Sequence, residues 1–196
     1  MRKVLLVTIS VATSLSLFAM TSLSLQSEHG EGSDDSPAIK RNLVFFGPAK
    51  DGMTKAGFNP SGSITVFGTA DELGTDKMRV EVEGLPRNTD FTVFLHELSE
   101  IPFGSSEYIA DLKTNSSGRG SVTVRTVILE AFALKTAGNP PTVRLEDVNL
   151  KFVAIWFADP KDSAPFLPAG FPTLAFDGDR SSGAVVLGTM EPLPNP

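Results

Sequence analysis

The segment Asp76–Gly84, DKMRVEVEG, narrows the folds open to this chain more than any other. Met78, Val80 and Val82 alternate with Lys77, Arg79, Glu81 and Glu83, the period of a strand with one buried and one wet face. A helix would scatter the same apolar residues around its axis. Comparable runs recur along the chain. NLVFFG, GSITVFGTA, DFTVFLHE (Phe91, Val93 and Leu95 on one face), EYIADLKT and GSVTVRTV all read as strands. LKFVAIWFAD is apolar on both faces, as a covered central strand should be, and GAVVLGTM closes the series. GLPRNTD supplies turn residues, and NSSGRG between EYIADLKT and GSVTVRTV predicts a hairpin. Turn signals fall about every 8–12 residues with no strand–helix alternation, so the predicted class is all-β: an antiparallel sandwich or barrel of about eight strands. One segment departs from this. ILEAFALKTAGNPP is rich in Leu, Ala, Glu and Lys before its GNPP terminator, which predicts one short helix or a crossover loop.

The two ends read differently from the middle. MRK, an uncharged run VLLVTISVATSLSLFAM and the small-residue stretch TSLSLQ form the pattern of a secretory signal peptide over residues 1–24, with cleavage after Thr21 or Ser24. An uncleaved anchor is the alternative, because Val4 to Ser27 carries no charge. Either way the expected location is secreted or extracytoplasmic, with no stable membrane insertion once the segment is cleaved. Residues 25–42 are polar and predict a flexible tether, 43–190 the folded domain, and 191–196 an irregular tail with three prolines in EPLPNP.

Composition then removes whole classes of function. The chain has no cysteine, so disulfides, thiolate metal sites and cysteine nucleophiles are excluded. Net charge is −6, and setting aside Arg2 and Lys3 leaves 15 basic against 23 acidic side chains. That field repels phosphate backbones and anionic lipid, so a nucleic-acid partner is not expected. Fourteen phenylalanines against one tryptophan and one tyrosine point to a core of rings that need no hydrogen-bond partner.

Few residues remain that could carry chemistry. His96 is the only histidine outside the tether, at the end of a strand and followed by Glu97. Catalysis would require a nucleophile and an orienting acid beside it, and no GxSxG or comparable spacing supplies them. A strand-end histidine, exposed or hydrogen-bonded, is the simpler reading; as binding residues, His96 and Glu97 would be surface candidates. Asp159, Asp162, Asp177 and Asp179 lie on two turns of ADPKDSAPFLPAGFPTLAFDGDR; brought together, they would offer hard oxygen ligands to Ca²⁺. Ordinary turn chemistry explains the same aspartates. Those acids, or Glu97, Glu100 and Glu107, would also be the carboxylates of a hydrolase, although nothing in the sequence selects a pair. Trp156, inside the apolar strand, reads as core filling, while Tyr108 is a surface candidate. Phe103, Phe166 and Phe171 sit in Pro/Gly-rich loops as either a docking rim or plugs for the ends of the fold. Asn115–Ser117 is an N-glycosylation sequon on the predicted hairpin tip.

The run MRVEVEGLPRNTDFTVFLHE resembles the part of Cu/Zn superoxide dismutases in which two strands joined by a GL-P turn lead to an HxHE metal motif. GSSEYIADLKTNSSGRGSVTV, VAIWFADPKD and GAVVLG are similar to later segments of that family, together about two thirds of the domain. The resemblance implies a Greek-key, immunoglobulin-like sandwich. It does not carry the activity over. His96 and Glu97 match the end of HxHE, but Phe94 stands where the first histidine belongs, and the remaining histidines and the disulfide cysteines are missing. PFGSSEYIADL and WFADPKD…FDGDR also resemble uncharacterised secreted bacterial proteins. The expectation is an exported, non-enzymatic β-sandwich that binds a protein or glycan, with no cofactor unless the aspartate loops take up Ca²⁺.

Overall fold

The alternating runs pair into antiparallel ladders. The structure is a computed structural model and describes residues 38–67, 76–126, 131–137, 142–171 and 182–193. Ten strands fall within these residues: β1 Ile39–Phe45, β2 Ser61–Phe67, β3 Asp76–Glu83, β4 Asp90–His96, β5 Ser106–Lys113, β6 Gly120–Thr126, β7 Ala131–Ala137, β8 Thr142–Val148, β9 Phe152–Phe157 and β10 Val185–Gly188. Eight form one nearly closed sheet in the order β5-β4-β9-β10-β1-β2-β3-β6, and β7 and β8 pair separately. The all-β class and the number of strands in the main sheet agree with the sequence. The signal-peptide and cleavage-site expectations fall outside the described residues. Among the described residues no helix is long and apolar enough to cross a membrane.

β1 joins the two halves of the sheet. Ile39 to Leu43 pair with β2, while Val44 and Phe45 pair with Leu187 and Gly188 of β10. This corrects the expected tether boundary: residues 39–42 are laddered strand, and Ile39 pairs with Val66. The folded unit also reaches past residue 190 into the irregular tail. Residues 191–193 form no helix or strand, yet Leu193 is buried in the core and its N–H donates to the Lys151 carbonyl at 2.6 Å.

Two segments were misread from sequence. The stretch expected to hold a short helix or a crossover loop contains β7, paired in register with β8 from Ala131↔Val148 to Ala137↔Thr142. Helix propensity is a weak prior. The same residues also alternate, with Phe132, Leu134 and Thr136 at every second position, and strand pairing wins. The short helices lie elsewhere: α1 at Lys50–Lys55, with Met53 buried, and α2 at Pro160–Ser163, followed by a 3₁₀ turn at Ala164–Phe166. The predicted β5–β6 hairpin is not a ladder either. β5 pairs with β4 and β6 with β3, so the two strands occupy opposite ends of the strand order. Their connection is a corner held by its own bonds. Thr114 Oγ1 donates to the Pro86 carbonyl at 2.6 Å and accepts from the Thr89 N–H at 3.0 Å. Gly118 has φ +73°, and a Cβ there would run into the Leu85 carbonyl, so the corner requires glycine.

The main core lies on the inward faces. Met78, Val80 and Val82 of β3 meet Ile64 and Val66 of β2 on one side, and Phe91, Val93 and Leu95 of β4 meet Val153, Ile155 and Phe157 of β9 on the other. A second, smaller cluster sits on the opposite face of β4, β9 and β10: Phe94, Ala154, Trp156 and Val185, covered by Phe46 and Phe103. Two bulges shape this face. Val93 and Phe94 pair with Ala110 and Tyr108, leaving Ile109 as the extra residue. Trp156 and Ile155 pair with Val185 and Leu187, leaving Val186 over.

Candidate functional site

His96 lies inside that second cluster, not at the surface. Its solvent exposure is 0 %, which corrects the surface placement expected from sequence. The cause is tertiary. The loop after β4 folds back over the outer sheet face and lays Phe103 on the imidazole, with ring centroids 4.5 Å apart and planes 30° apart. Three bonds hold the loop. Glu97 N–H donates to the Ser105 carbonyl at 2.9 Å, Leu98 N–H to the Phe103 carbonyl at 2.9 Å, and Ser105 N–H to Glu97 Oε2 at 3.0 Å. Glu97 itself is exposed, and the Ser105 N–H holds its carboxyl below the usual range.

The partners of His96 fix its proton. Nε2 lies 3.1 Å from Trp156 Nε1, and Nδ1 lies 2.6 Å from Ser106 Oγ. An indole N–H only donates, so Nε2 must be the lone-pair nitrogen and Nδ1 carries the hydrogen toward Ser106. Burial lowers the imidazole pKa to about 4, which keeps it neutral. A histidine that activates a serine must accept the hydroxyl proton, whereas this one donates to the hydroxyl. The arrangement serves as a structural clamp between β4, β5 and β9.

The other candidates do not assemble around it. Tyr108 is 49 % exposed and meets Phe94 edge-on at 6.1 Å. Trp156 fills the second cluster as expected, with its N–H satisfied by His96. Phe103 is a plug over His96, and Phe166 packs on the main core against Phe58 and Phe157. Glu100 and Glu107 are exposed. Asp159 caps α2, its Oδ1 accepting from the Lys161 N–H at 2.8 Å, and Asp162 is exposed in the same turn. Asp177 and Asp179 lie outside the described residues. Among the described residues no group of three or more His, Asp or Glu is placed to hold a metal ion.

A feature that sequence reasoning missed lies on the other half of the sheet. An open groove of about 860 Å³ crosses β1, β2, β3 and β6. Strand register builds it. Asn42, Ser63, Glu81 and Ser121 are directly opposed from strand to strand and form one continuous polar row. Lys40 flanks the row on β1, and Lys113 and Arg119 flank it at the β5–β6 corner. The signal was present in sequence as the wet positions of each alternating strand, but only register shows which of them share a row. No family model, curated protein or solved structure matches this chain.

Proposed function

We propose that this chain is an exported, non-enzymatic binding module that presents the β1–β2–β3–β6 groove to a partner outside the cytoplasm. One observation carries the reading: a polar row four strands wide, bordered by cations, on a sheet whose inward face already supplies the core. A fold needs only a solvated outer face there; a concave groove with charges at both ends suits recognition. The export signal in the sequence fits a partner met outside the cell. The proton arrangement at His96 favours binding over catalysis, because the one imidazole of the domain is committed to two structural bonds.

The finer fold belongs to the same proposal: an immunoglobulin-like Greek-key sandwich akin to the dismutase scaffold. The change of partner along β1 supports it, since a strand shared by two half-sheets is how a sandwich closes at its side. The place of Phe94 beside His96 supports a scaffold that retained one metal-motif position as packing.

The test is amide chemical-shift mapping on the tethered domain while glycans and peptides are added. Shifts concentrated at Asn42, Ser63, Glu81 and Ser121 are expected. Saturable shifts confined to the 97–105 loop and β5 would overturn the groove as the site.

A further inference from the structure

The groove differs in charge from the rest of the molecule. Three cations, Lys40, Lys113 and Arg119, line it against two carboxylates, Glu81 and Glu83, on a chain of net charge −6. The same face continues past the groove. Arg79 is opposed to Thr123 and Lys77 to Arg125, so basic side chains extend along β3 and β6. From Lys77 to Glu83 the strip spans about 20 Å at strand rise. Solubility alone does not call for positive charge gathered on one face of an acidic protein.

Arg79 is held by Glu81 at 2.8 Å, but the three cations of the groove itself are available. Lys113 pairs with Asp90 at 3.0 Å and Arg119 with Glu83 at 3.5 Å, each between side chains more than half exposed. Such pairs contribute little to stability and exchange readily for a ligand's carboxylates. Lys40 has no ion-pair partner among the described residues. Between the cations lie hydroxyl and amide groups, Ser61, Ser63, Ser121 and Asn42, which hydrogen-bond in either direction.

We infer, resting on the groove reading above, that the ligand is an acidic polysaccharide. The polar row addresses ring hydroxyls, while the flanking cations address carboxylates spaced along a polymer. The length of the strip, about 20 Å, suits a chain rather than a small molecule. Among the described residues no aromatic side chain lines the groove itself, and Phe67 at the far end of the strip is covered by Lys77, so a neutral sugar would lack a stacking platform and a nucleic acid would lack a base platform. Nor does it offer the aromatic anchor pocket on which peptide interfaces depend.

The test is titration of the intact domain with polygalacturonate, dextran, poly-glutamate and single-stranded DNA at two salt concentrations. Polygalacturonate is expected to bind with an affinity that falls at least threefold from 50 to 200 mM salt. The double substitution K113Q/R119Q should weaken it tenfold or more with an unchanged melting temperature, and K40Q should weaken it further. Dextran should not bind. If poly-glutamate or DNA binds as tightly through the same three residues, the groove stands as a site and the polysaccharide assignment falls. If no probe shows binding that depends on these residues, both readings fall.

Discussion

Protonating His96 would place a charge beside the rings of Phe94 and Phe103 and point an N–H at the indole N–H of Trp156. The unfolded chain takes up that proton near pH 6.5 and the folded one only near pH 4. Between those values the unfolded state binds more protons, so the contribution is complete above pH 6.5 and is lost as pH falls toward 4. The shift corresponds to about 3 kcal/mol. Urea unfolding of wild type and H96Q at pH 7, 5.5 and 4 checks it: the stability difference between them should shrink by that amount, and a difference constant with pH would refute it. The identity and strand position of His96 were legible in the sequence, but its burial was not. Burial depends on Phe103 arriving from a loop seven residues on, and β4 shows ordinary alternation on its core side. Glu97 was read as a surface group and is exposed, its carboxylate accepting from the Ser105 N–H.

The elements were legible where alternation alone decides the outcome. β3 buries Met78, Val80 and Val82 as expected, and β9 is covered on both faces. The β5–β6 connection was misread because a glycine-bearing turn looks the same whether the flanking strands pair with each other or diverge to different neighbours. Partner choice is set by the whole strand order, in which β4 and β3 compete successfully for the two strands. The corner should accordingly depend on Thr114, buried at 2 % exposure, in place of ladder bonds. Thr114→Val keeps its shape but leaves the Thr89 N–H and the Pro86 carbonyl without their hydroxyl partner. The expected cost is about 1–3 kcal/mol, read as a lowered thermal midpoint. A midpoint equal to wild type would show that water replaces the hydroxyl. The β7 segment was missed for a different reason: Leu, Ala and Lys suit either conformation, and the neighbouring strand β8 decides between them.

For the molecule as a whole, the class was readable and the limits of the folded unit were not. Short apolar signals at the ends, Ile39 and Leu193, lie among polar or proline-rich neighbours that mask them. Removing residues 191–196 should destabilise the domain by about 2–3 kcal/mol through loss of the Leu193 side chain from the core and its bond to Lys151. Chemical denaturation of the truncated chain beside L193A measures this, and a denaturation midpoint unchanged by truncation would return the tail to the status of a passive extension. The double allegiance of β1 has a mechanical consequence. Five residue pairs bind it to β2 and only two to β10, with one further N–H···O bond from Phe46 to Val186. The joint between the half-sheets is therefore a hinge line with few stitches, and a pull on the N-terminal end of the domain is delivered to the very strand that holds the halves together.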